Sequence, residues 1–239
     1  MTRRMIVICV LVALVAVVAP VQLHRGLREI PPPVRSVPTR EKLVAITYDD
    51  GPHPVYTPEL LRILRDCRVK ATFFMIGTRM QRWPWIVEQA AADGQVIANH
   101  TYSHPRYLSR DTHAQIVREI RDGQKVIEQL AHQRYLVFRP PKGFLGNGVL
   151  RTADLMGYTV VLWSVSAYQH DTTRTPEQMA QRVLRLVRPG SIILMHDGRF
   201  PMRWRDVRAT PLIIRALKKR GYRFVTVPEL LTRTSPSRT

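Results

Sequence analysis

Four carboxylate and imidazole side chains have the types and spacing that suit a metal ion. Asp49 and Asp50 lie within ITYDDGPHP, and His100 and His104 lie four residues apart in NHTYSH. A helix would place both histidines on one face, but Pro105 disfavours the helical conformation at His104. We therefore expect a loop presenting two imidazoles, which with one carboxylate predicts a His₂Asp site with open coordination positions and a preference for Zn²⁺. Two unrelated turn histidines are the alternative.

The doubled aspartate predicts a division of labour between neighbouring carboxylates. Neighbouring residues at a strand end point in different directions, so only Asp50 is needed as a metal ligand. Asp49 can then act as the general base towards a water molecule that the metal activates for attack on a carbonyl group. A plain Asp-Gly-Pro turn, which needs only Asp50, is the simpler alternative.

Two more polar residues follow apolar runs elsewhere in the chain. Arg139, in FRPPKG, could orient Asp49 through an ion pair, although an isolated Arg-Pro-Pro is also typical of a surface turn. His196, in ILMHD, could donate a proton to a leaving group. A hydrogen-bonded core histidine is the alternative for His196.

Short β-branched or aromatic runs alternate with amphipathic stretches of helical length over most of the chain. The predicted strands are residues 43–48, 71–76, 95–99, 135–138, 159–165, 191–195 and 223–227. The predicted helices are residues 57–68, 83–93, 111–133, 147–156, 176–188 and 206–220. Strands separated by helices predict a parallel sheet with the helices packed outside it.

Such a sheet is either a closed or nearly closed barrel or an open doubly wound sheet. No G-x-G-x-x-G or phosphate-binding loop follows the first strand, which favours the barrel. In both architectures the carboxyl ends of the strands meet at one rim. These ends carry the six candidate residues, Asp49, Asp50, His100, His104, Arg139 and His196. We therefore expect a single catalytic site on that rim.

Taken in order, TYDDGP, HTYSH, FRPPKG and ILMHD resemble the motifs of the NodB-homology polysaccharide deacetylases, carbohydrate esterase family four. The resemblance covers roughly residues 43–231 and implies a distorted (β/α)7 barrel with parallel strands. It also implies metal-dependent removal of N- or O-acetyl groups from polysaccharides. By position, the resemblance implies that Asp49 is the catalytic base, Arg139 its partner and His196 the catalytic acid. It implies that Asp50, His100 and His104 are the metal ligands. It also implies that the backbone N–H of Lys142 is an oxyanion donor and that Leu194 lines the acetyl pocket.

The fourth motif departs from the family pattern. The family often has Asp-x-x-Asp-Trp after the fifth strand, where this chain has SAYQH at residues 166–170. The second Asp of that motif, which assists the acidic histidine, corresponds to Gln169, and Asp171 is a candidate substitute. Lys142 stands where Tyr is common, but a backbone donor survives a change of side chain.

Composition and the N-terminal residues indicate where the chain acts. Of its 239 residues 45% are hydrophobic, enough for one sizeable domain, and 37 Lys and Arg against 18 Asp and Glu give a formal charge of +19. This excess favours anionic partners. MTRR followed by an uncharged run predicts a signal-anchor or signal peptide over residues 1–21. An exported, membrane-anchored or secreted protein is expected, and nucleic acid is not an expected partner.

The expected organisation is a Pro/Arg-rich stalk over 22–42, a deacetylase domain over 43–232 and a disordered tail over 233–239. The expected partner of this monomer is an acetylated polysaccharide, peptidoglycan or chitin-like, with cell-wall N-acetyl-glucosamine the first candidate. A non-catalytic glycan-binding protein that keeps the fold and the metal is the rival, favoured by the altered fourth motif. Another metal-dependent hydrolase, such as a cyclic amidase, suits an exported basic chain less well.

Overall fold

A sheet of parallel strands forms the centre of the molecule in a computed structural model that describes residues 29–168, 173–198 and 202–233. Within these residues the strands are β1 (Leu43–Asp49), β2 (Thr72–Met75), β3 (Val96–Asn99), β4 (Val137–Phe138), β5 (Thr159–Val160), β6 (Val165–Ser166), β7 (Ser191–His196) and β8 (Arg223–Phe224). Their order is β5-β4-β3-β2-β1-β7-β6, and β8 pairs with the start of β1. The predicted distorted (β/α)7 barrel is confirmed, with the predicted strand 159–165 divided into β5 and β6.

Helices connect the strands and cover the outside of the sheet. In the described residues they are α1 (Tyr56–Asp66), α2 (Gly77–Arg82), α3 (Pro84–Ala92), α4 (His113–Ala131), α5 (Asn147–Leu155), α6 (Pro176–Leu186), α7 (Trp204–Lys219) and α8 (Val227–Leu231). Thr175 caps α6 and forms a reciprocal capping box with Gln178, as its TPEQ sequence predicts. The six predicted helices are present, whereas α2 and α8, of six and five residues, were not predicted.

The alternation of side chains along β1 places Asp49 on the inner face of the barrel. Val44, Ile46 and Tyr48 belong to the core cluster that includes the helices. Leu43 and Ala45 belong to a second cluster, which contains residues of β2, β3, β4 and β7. Because side chains alternate along a strand, Thr47 and Asp49 continue the row of Leu43 and Ala45. The first strand therefore carries an apolar inner row that ends in a hydroxyl and a carboxylate.

An extended segment before β1 covers the gap between two parts of the sheet. Val34 donates to the carbonyl of Val160 at 2.8 Å, and Val37 donates to the carbonyl of Gly190 at 2.9 Å. Val37 is 2% exposed and packs in the inner core cluster. Residues 34–37, which fall within the predicted stalk 22–42, therefore belong to the folded domain.

Several predicted features lie outside the described residues. These are the signal segment 1–21, the first part of the stalk, the fourth-motif residues Gln169 and Asp171, and residues 234–239 of the tail. Among the helices of the described ranges, none has the length and apolar character needed to cross a bilayer.

Candidate active site

The ends of neighbouring strands gather the predicted site residues around one cavity of about 200 Å³. Seven of the eight predicted side chains line this cavity, namely Asp49, Asp50, His100, His104, Lys142, Leu194 and His196. The eighth, Arg139, is fully buried and contacts Asp49. Trp163 and Arg203 complete the lining. The expected convergence on one rim is therefore present.

Asp50, His100 and His104 form a buried cluster of ligand atoms. His104 Nε2 lies 3.1 Å and His100 Nε2 lies 3.5 Å from Asp50 Oδ1. One ligand atom from each residue lies within 4.8 Å of the others, and all three residues are buried. Two imidazole nitrogens and a carboxylate oxygen at these separations fit a divalent cation, with coordination positions left for water or substrate.

The second nitrogen of His100 shows how this ligand is oriented. His100 Nδ1 donates to the carbonyl oxygen of Arg139 at 2.7 Å. A neutral imidazole carries one proton, so this hydrogen bond leaves the Nε2 lone pair directed at the cluster. The main chain of the FRPPKG motif thereby sets the tautomer of a ligand, a role additional to the predicted role of its side chain.

Arg139 fixes Asp49 from inside the barrel. Its Nη1 donates to Asp49 Oδ1 at 2.6 Å and to Thr47 Oγ1 at 2.9 Å. Its Nε and Nη2 donate to the carbonyls of Val161 and Leu162 at 3.1 and 2.8 Å. The chain leaves the sheet between β5 and β6, and two carbonyls at this break accept hydrogen bonds from the buried guanidinium. This break accounts for the division of the predicted strand 159–165.

Asp49 has its two oxygens in different environments. Oδ1 is held by Arg139, whereas Oδ2 lies 4.0 Å from His100 Nε2, beside the ligand cluster. The side chain is 6% exposed, so the Arg139 guanidinium supplies the compensating charge for a buried carboxylate. Asp49 therefore has one oxygen anchored by Arg139 and one facing the ligand cluster.

Left-handed backbone conformations occur at three site residues. Asp50, His104 and Lys142 have φ values of 72°, 59° and 59°. Such values are uncommon for residues with a Cβ atom and cluster at functional sites, where surrounding contacts maintain them. Gly51 allows close approach next to this turn, because a Cβ there would lie 2.4 Å from Asp197 Oδ2. The local backbone conformation therefore orients the ligand side chains of Asp50 and His104.

Burial and neighbouring charges shift several pKa values at the site. Burial favours the neutral form of Asp50, but the neighbouring imidazoles of His100 and His104 hold its pKa well below the usual range in the metal-free protein. Burial, assisted by the Arg203 cation, lowers the pKa of His196 to about 4. Burial raises the pKa of Asp197 to about 7 although Thr57 donates a hydrogen bond to it. Asp50 is therefore charged and His196 neutral at pH 7.

The sequence profile of the polysaccharide deacetylases matches residues 36–161. A peptidoglycan-N-acetylglucosamine deacetylase of Bacillus cereus is 43% identical over 196 residues, which cover 82% of this chain and 91% of that protein. The chain belongs to the polysaccharide deacetylase family. It is therefore a hydrolase of carbon–nitrogen bonds, and Asp50, His100 and His104 form the divalent-metal site of this deacetylase.

Solved structures agree with this assignment. The crystal structure of a peptidoglycan N-acetylglucosamine deacetylase in complex with 4-naphthalen-1-yl-N-oxidanyl-benzamide has a TM-score of 0.79 and 34% identity, and the match covers 86% of this deacetylase and 94% of that chain. A family 4 acetyl xylan esterase from Clostridium thermocellum, in complex with a cobalt ion, has a TM-score of 0.74 and 35% identity over 80% of this deacetylase and 90% of that chain.

Sequence reasoning missed four residues at the deacetylase site: Trp163 and Arg203, which line the cavity, and Tyr168 and Asp206, which form hydrogen bonds at His196. Tyr168 Oη lies 2.8 Å from His196 Nδ1, and the Tyr168 hydroxyl also donates to Asp206 Oδ1. The sequence gives a weak signal for Asp206, because its helical spacing from Thr210 and Ile213 places it on the buried face of α7. A carboxylate on the core-facing side of a basic helix is a polar group that needs a buried partner. Gln169, which stands at the position of the family's second Asp, and the candidate substitute Asp171 lie outside the described residues.

Proposed function

We propose that the chain removes the N-acetyl group of N-acetyl-glucosamine in peptidoglycan, with Zn²⁺ as its metal. The observation that carries this proposal is the ligand cluster of Asp50, His100 and His104 beside an anchored second carboxylate, Asp49. Two His and one carboxylate are a frequent ligand set for catalytic zinc. A bound divalent cation would polarise the acetyl carbonyl and lower the pKa of water.

Asp49 is the proposed general base. Arg139 engages Oδ1, so Oδ2 is the oxygen that accepts the proton from the attacking water. Because Arg139 is fully buried and hydrogen-bonded at all three of its nitrogens, it holds the carboxylate in one orientation. Arg139 is therefore proposed to position the base rather than to contact the substrate.

The acetyl group is proposed to lie between Lys142, Leu194 and Trp163, which line the cavity. The turn around Lys142 is closed by hydrogen bonds from Gly143 to Pro140 and from Phe144 to Pro141. Neither bond uses the Lys142 N–H, which is proposed to donate to the acetyl oxygen as negative charge develops there. Leu194 and Trp163 supply apolar surface for the methyl group.

His196 is proposed to deliver a proton to the departing amine nitrogen from Nε2, because Nδ1 is engaged by Tyr168. In the resting protein the low pKa of His196 keeps the ring neutral. Negative charge developing on the substrate beside it favours the imidazolium form. His196 thus takes up a proton from the solvent of the cavity at Nε2 as this charge develops, passes it to the departing amine nitrogen, and returns to the neutral Nδ1–H form.

A cationic and aromatic surface next to the cavity supports an anionic glycan as substrate. The exposed rings of Tyr107 and Phe144 lie 5.9 and 5.7 Å from Lys142 Nζ. The guanidinium groups of Arg106 and Arg110 lie 5.3 and 4.7 Å from the Tyr107 ring centroid. We call these five residues the Tyr107 patch. Sugars stack on aromatic rings, and the carboxylates of a peptidoglycan strand are attracted to the cations.

The peptidoglycan relative supports the choice of polymer, and the N-terminal sequence supports action outside the cytoplasm. The test is acetate release by the Zn²⁺-loaded protein from peptidoglycan, chitooligosaccharide and acetylxylan. We expect the highest kcat/KM on peptidoglycan. A higher value on either other polymer would contradict the substrate, and binding without acetate release from any of them would favour the glycan-binding alternative.

A further inference from the structure

The cavity-lining histidine belongs to a partly buried hydrogen-bond chain that the metal site does not use. His196 lines the cavity, and its Nδ1 lies 2.8 Å from Tyr168 Oη. The Tyr168 hydroxyl donates to Asp206 Oδ1, and the same carboxylate oxygen accepts from the backbone N–H of His196 at 2.9 Å. One carboxylate therefore contacts both the main chain of His196 and the hydroxyl that engages its ring.

The direction of each hydrogen bond follows from the protons available. A phenol has a single proton, and Tyr168 uses it towards Asp206, which as a carboxylate only accepts. Tyr168 Oη must then accept from His196, so Nδ1 carries the ring proton and Nε2 keeps its lone pair. Arg203 Nη1 lies 3.5 Å from the same Oη and is a second donor to it. The order of donation is His196 to Tyr168 to Asp206.

The structure around Asp206 keeps this carboxylate charged and fixed. Asp206 is 1% exposed and lies in the first turn of α7, where the helix dipole favours a negative charge. Burial raises the pKa of Asp206 to about 6, while Arg203 and the Tyr168 hydrogen bond oppose that rise, so the group is ionised at pH 7. Thr210 donates to the Asp206 main-chain carbonyl at 2.8 Å, a bond within the helix that does not involve the carboxylate.

We propose that Tyr168 and Asp206 are a positioning pair that holds His196 as its Nδ1–H tautomer and supports the imidazolium formed during amine protonation. This inference rests on the proposed role of His196 as the acid. In the family pattern that this chain resembles, an aspartate of the fourth motif assists the histidine, and Gln169 stands at that position. Here the carboxylate comes from α7, and a phenol is interposed between it and the ring.

The phenol between Asp206 and His196 separates the effects that the two residues have on the ring. The neutral Tyr168 hydroxyl orients the His196 ring through its hydrogen bond to Nδ1. The Asp206 charge does not contact Nδ1 directly, because the Tyr168 side chain lies between them. Loss of the hydroxyl should therefore affect the tautomer, whereas loss of the Asp206 charge should affect the imidazolium and leave the tautomer in place. The two residues thus have separable effects.

The test uses Tyr168→Phe, Asp206→Asn and wild type, each as full-length Zn²⁺-loaded protein. The tautomer of His196 is measured from imidazole ¹⁵N chemical shifts, assigned with His196→Gln, and kcat and KM are measured from acetate release. Wild type should show the Nδ1–H form. Tyr168→Phe should lose that form and lower kcat about 10- to 100-fold with KM and metal content unchanged. Asp206→Asn should keep the tautomer, because an amide oxygen still accepts, and lower kcat.

Thr210→Val is the matched control, since Thr210 lies on the same helix and bonds to Asp206 only through the main chain. It should lower the unfolding temperature without changing the tautomer or kcat. A Tyr168→Phe protein that is folded and keeps the Nδ1–H form and wild-type kcat would overturn the inference. If wild type releases no acetate but shows the tautomer change on Tyr168→Phe, the proposed function fails while the positioning role stands.

Discussion

Adjacent aspartates at the end of β1 have different partners, and this difference separates their roles. Asp50 adopts φ 72° and meets both histidine ligands, whereas Asp49 continues the inner row of the strand and meets Arg139. Both are buried, so each carboxylate needs its own compensating group. The doubled aspartate is thus explained by two sets of contacts rather than by the turn alone.

Arg139→Lys should lower the free energy of unfolding by about 2 kcal/mol or more, because each buried acceptor left unpaired costs roughly 1–3 kcal/mol. A lysine ammonium cannot reach Asp49, Thr47 and two carbonyls at once. Urea denaturation of the purified variant measures the loss. Arg62→Lys, at an exposed i,i+4 ion pair, is the control and should change stability by less than about 0.5 kcal/mol. Equal losses in the two variants would contradict this account of Arg139.

Asp197 should make the metal-free protein less stable as pH rises. Burial raises its folded-state pKa from 3.8 to about 7, so between these values the folded state holds a proton that the unfolded state has lost. The stability contribution is therefore present below pH 4 and lost by pH 7, at a cost of about 4 kcal/mol. In EDTA, Asp197→Asn should gain stability relative to wild type between pH 5 and pH 8.

The control for Asp197 is Asp66→Asn, an exposed carboxylate on α1. This variant should follow the wild-type dependence of unfolding free energy on pH. If Asp197→Asn also follows the wild-type curve, then the buried carboxyl does not retain its proton and the account of this group is wrong.

At the scale of elements, the segment 34–37 and the turn before β7 fit each other closely. Gly190 has φ 78°, and a Cβ atom there would lie 1.8 Å from the carbonyl oxygen of Val37. Gly190→Ala should therefore lower the unfolding free energy by several kcal/mol and displace the segment, as thermal denaturation would show.

Gly148→Ala provides the comparison for Gly190→Ala. A Cβ atom at Gly148 meets only Ile116 Cδ1 at 3.8 Å, and the position lies within α5, where alanine is favoured over glycine by about 1 kcal/mol. Gly148→Ala should leave the unfolding temperature unchanged or raise it. A similar decrease in both variants would show that the contact with Val37 is not tight.

Elements with local signals were predicted well, and those set by distant contacts were not. The capping box at Thr175 and the apolar run of residues 43–48 are local signals, and the elements they mark, α6 and β1, occur where predicted. The break in strand 159–165 depends on carbonyls that serve Arg139, more than twenty residues away. The six rim residues were found because strand ends bring them together, whereas Tyr168 and Asp206, 38 residues apart, meet only through packing of α7.

At the scale of the whole molecule, the formal charge of +19 should act on the substrate through the Tyr107 patch. The double variant Arg106→Gln, Arg110→Gln should lower kcat/KM on peptidoglycan several-fold at low salt. It should have a smaller effect on kcat/KM with neutral chitooligosaccharide, because a neutral substrate has no ionic attraction that charge removal or added salt could weaken. Acetate release at two NaCl concentrations measures both effects.

Arg134→Gln with Arg223→Gln removes the same charge from the opposite end of the barrel, where β4 and β8 begin. This control should leave kcat/KM on peptidoglycan near the wild-type value. An equal loss in both double variants would indicate that net charge, and not the Tyr107 patch, attracts the polymer.

The most direct test of the central claim is acetate release from peptidoglycan by Asp49→Asn and wild type, with metal content measured in the same samples. Asparagine keeps the shape of the side chain and an acceptor for Arg139, so the ligand cluster should hold one metal ion per chain in both proteins. We predict acetate release by wild type and a loss of about 100-fold or more in Asp49→Asn. Equal rates in the two metal-loaded proteins would contradict the assignment of Asp49 as the base.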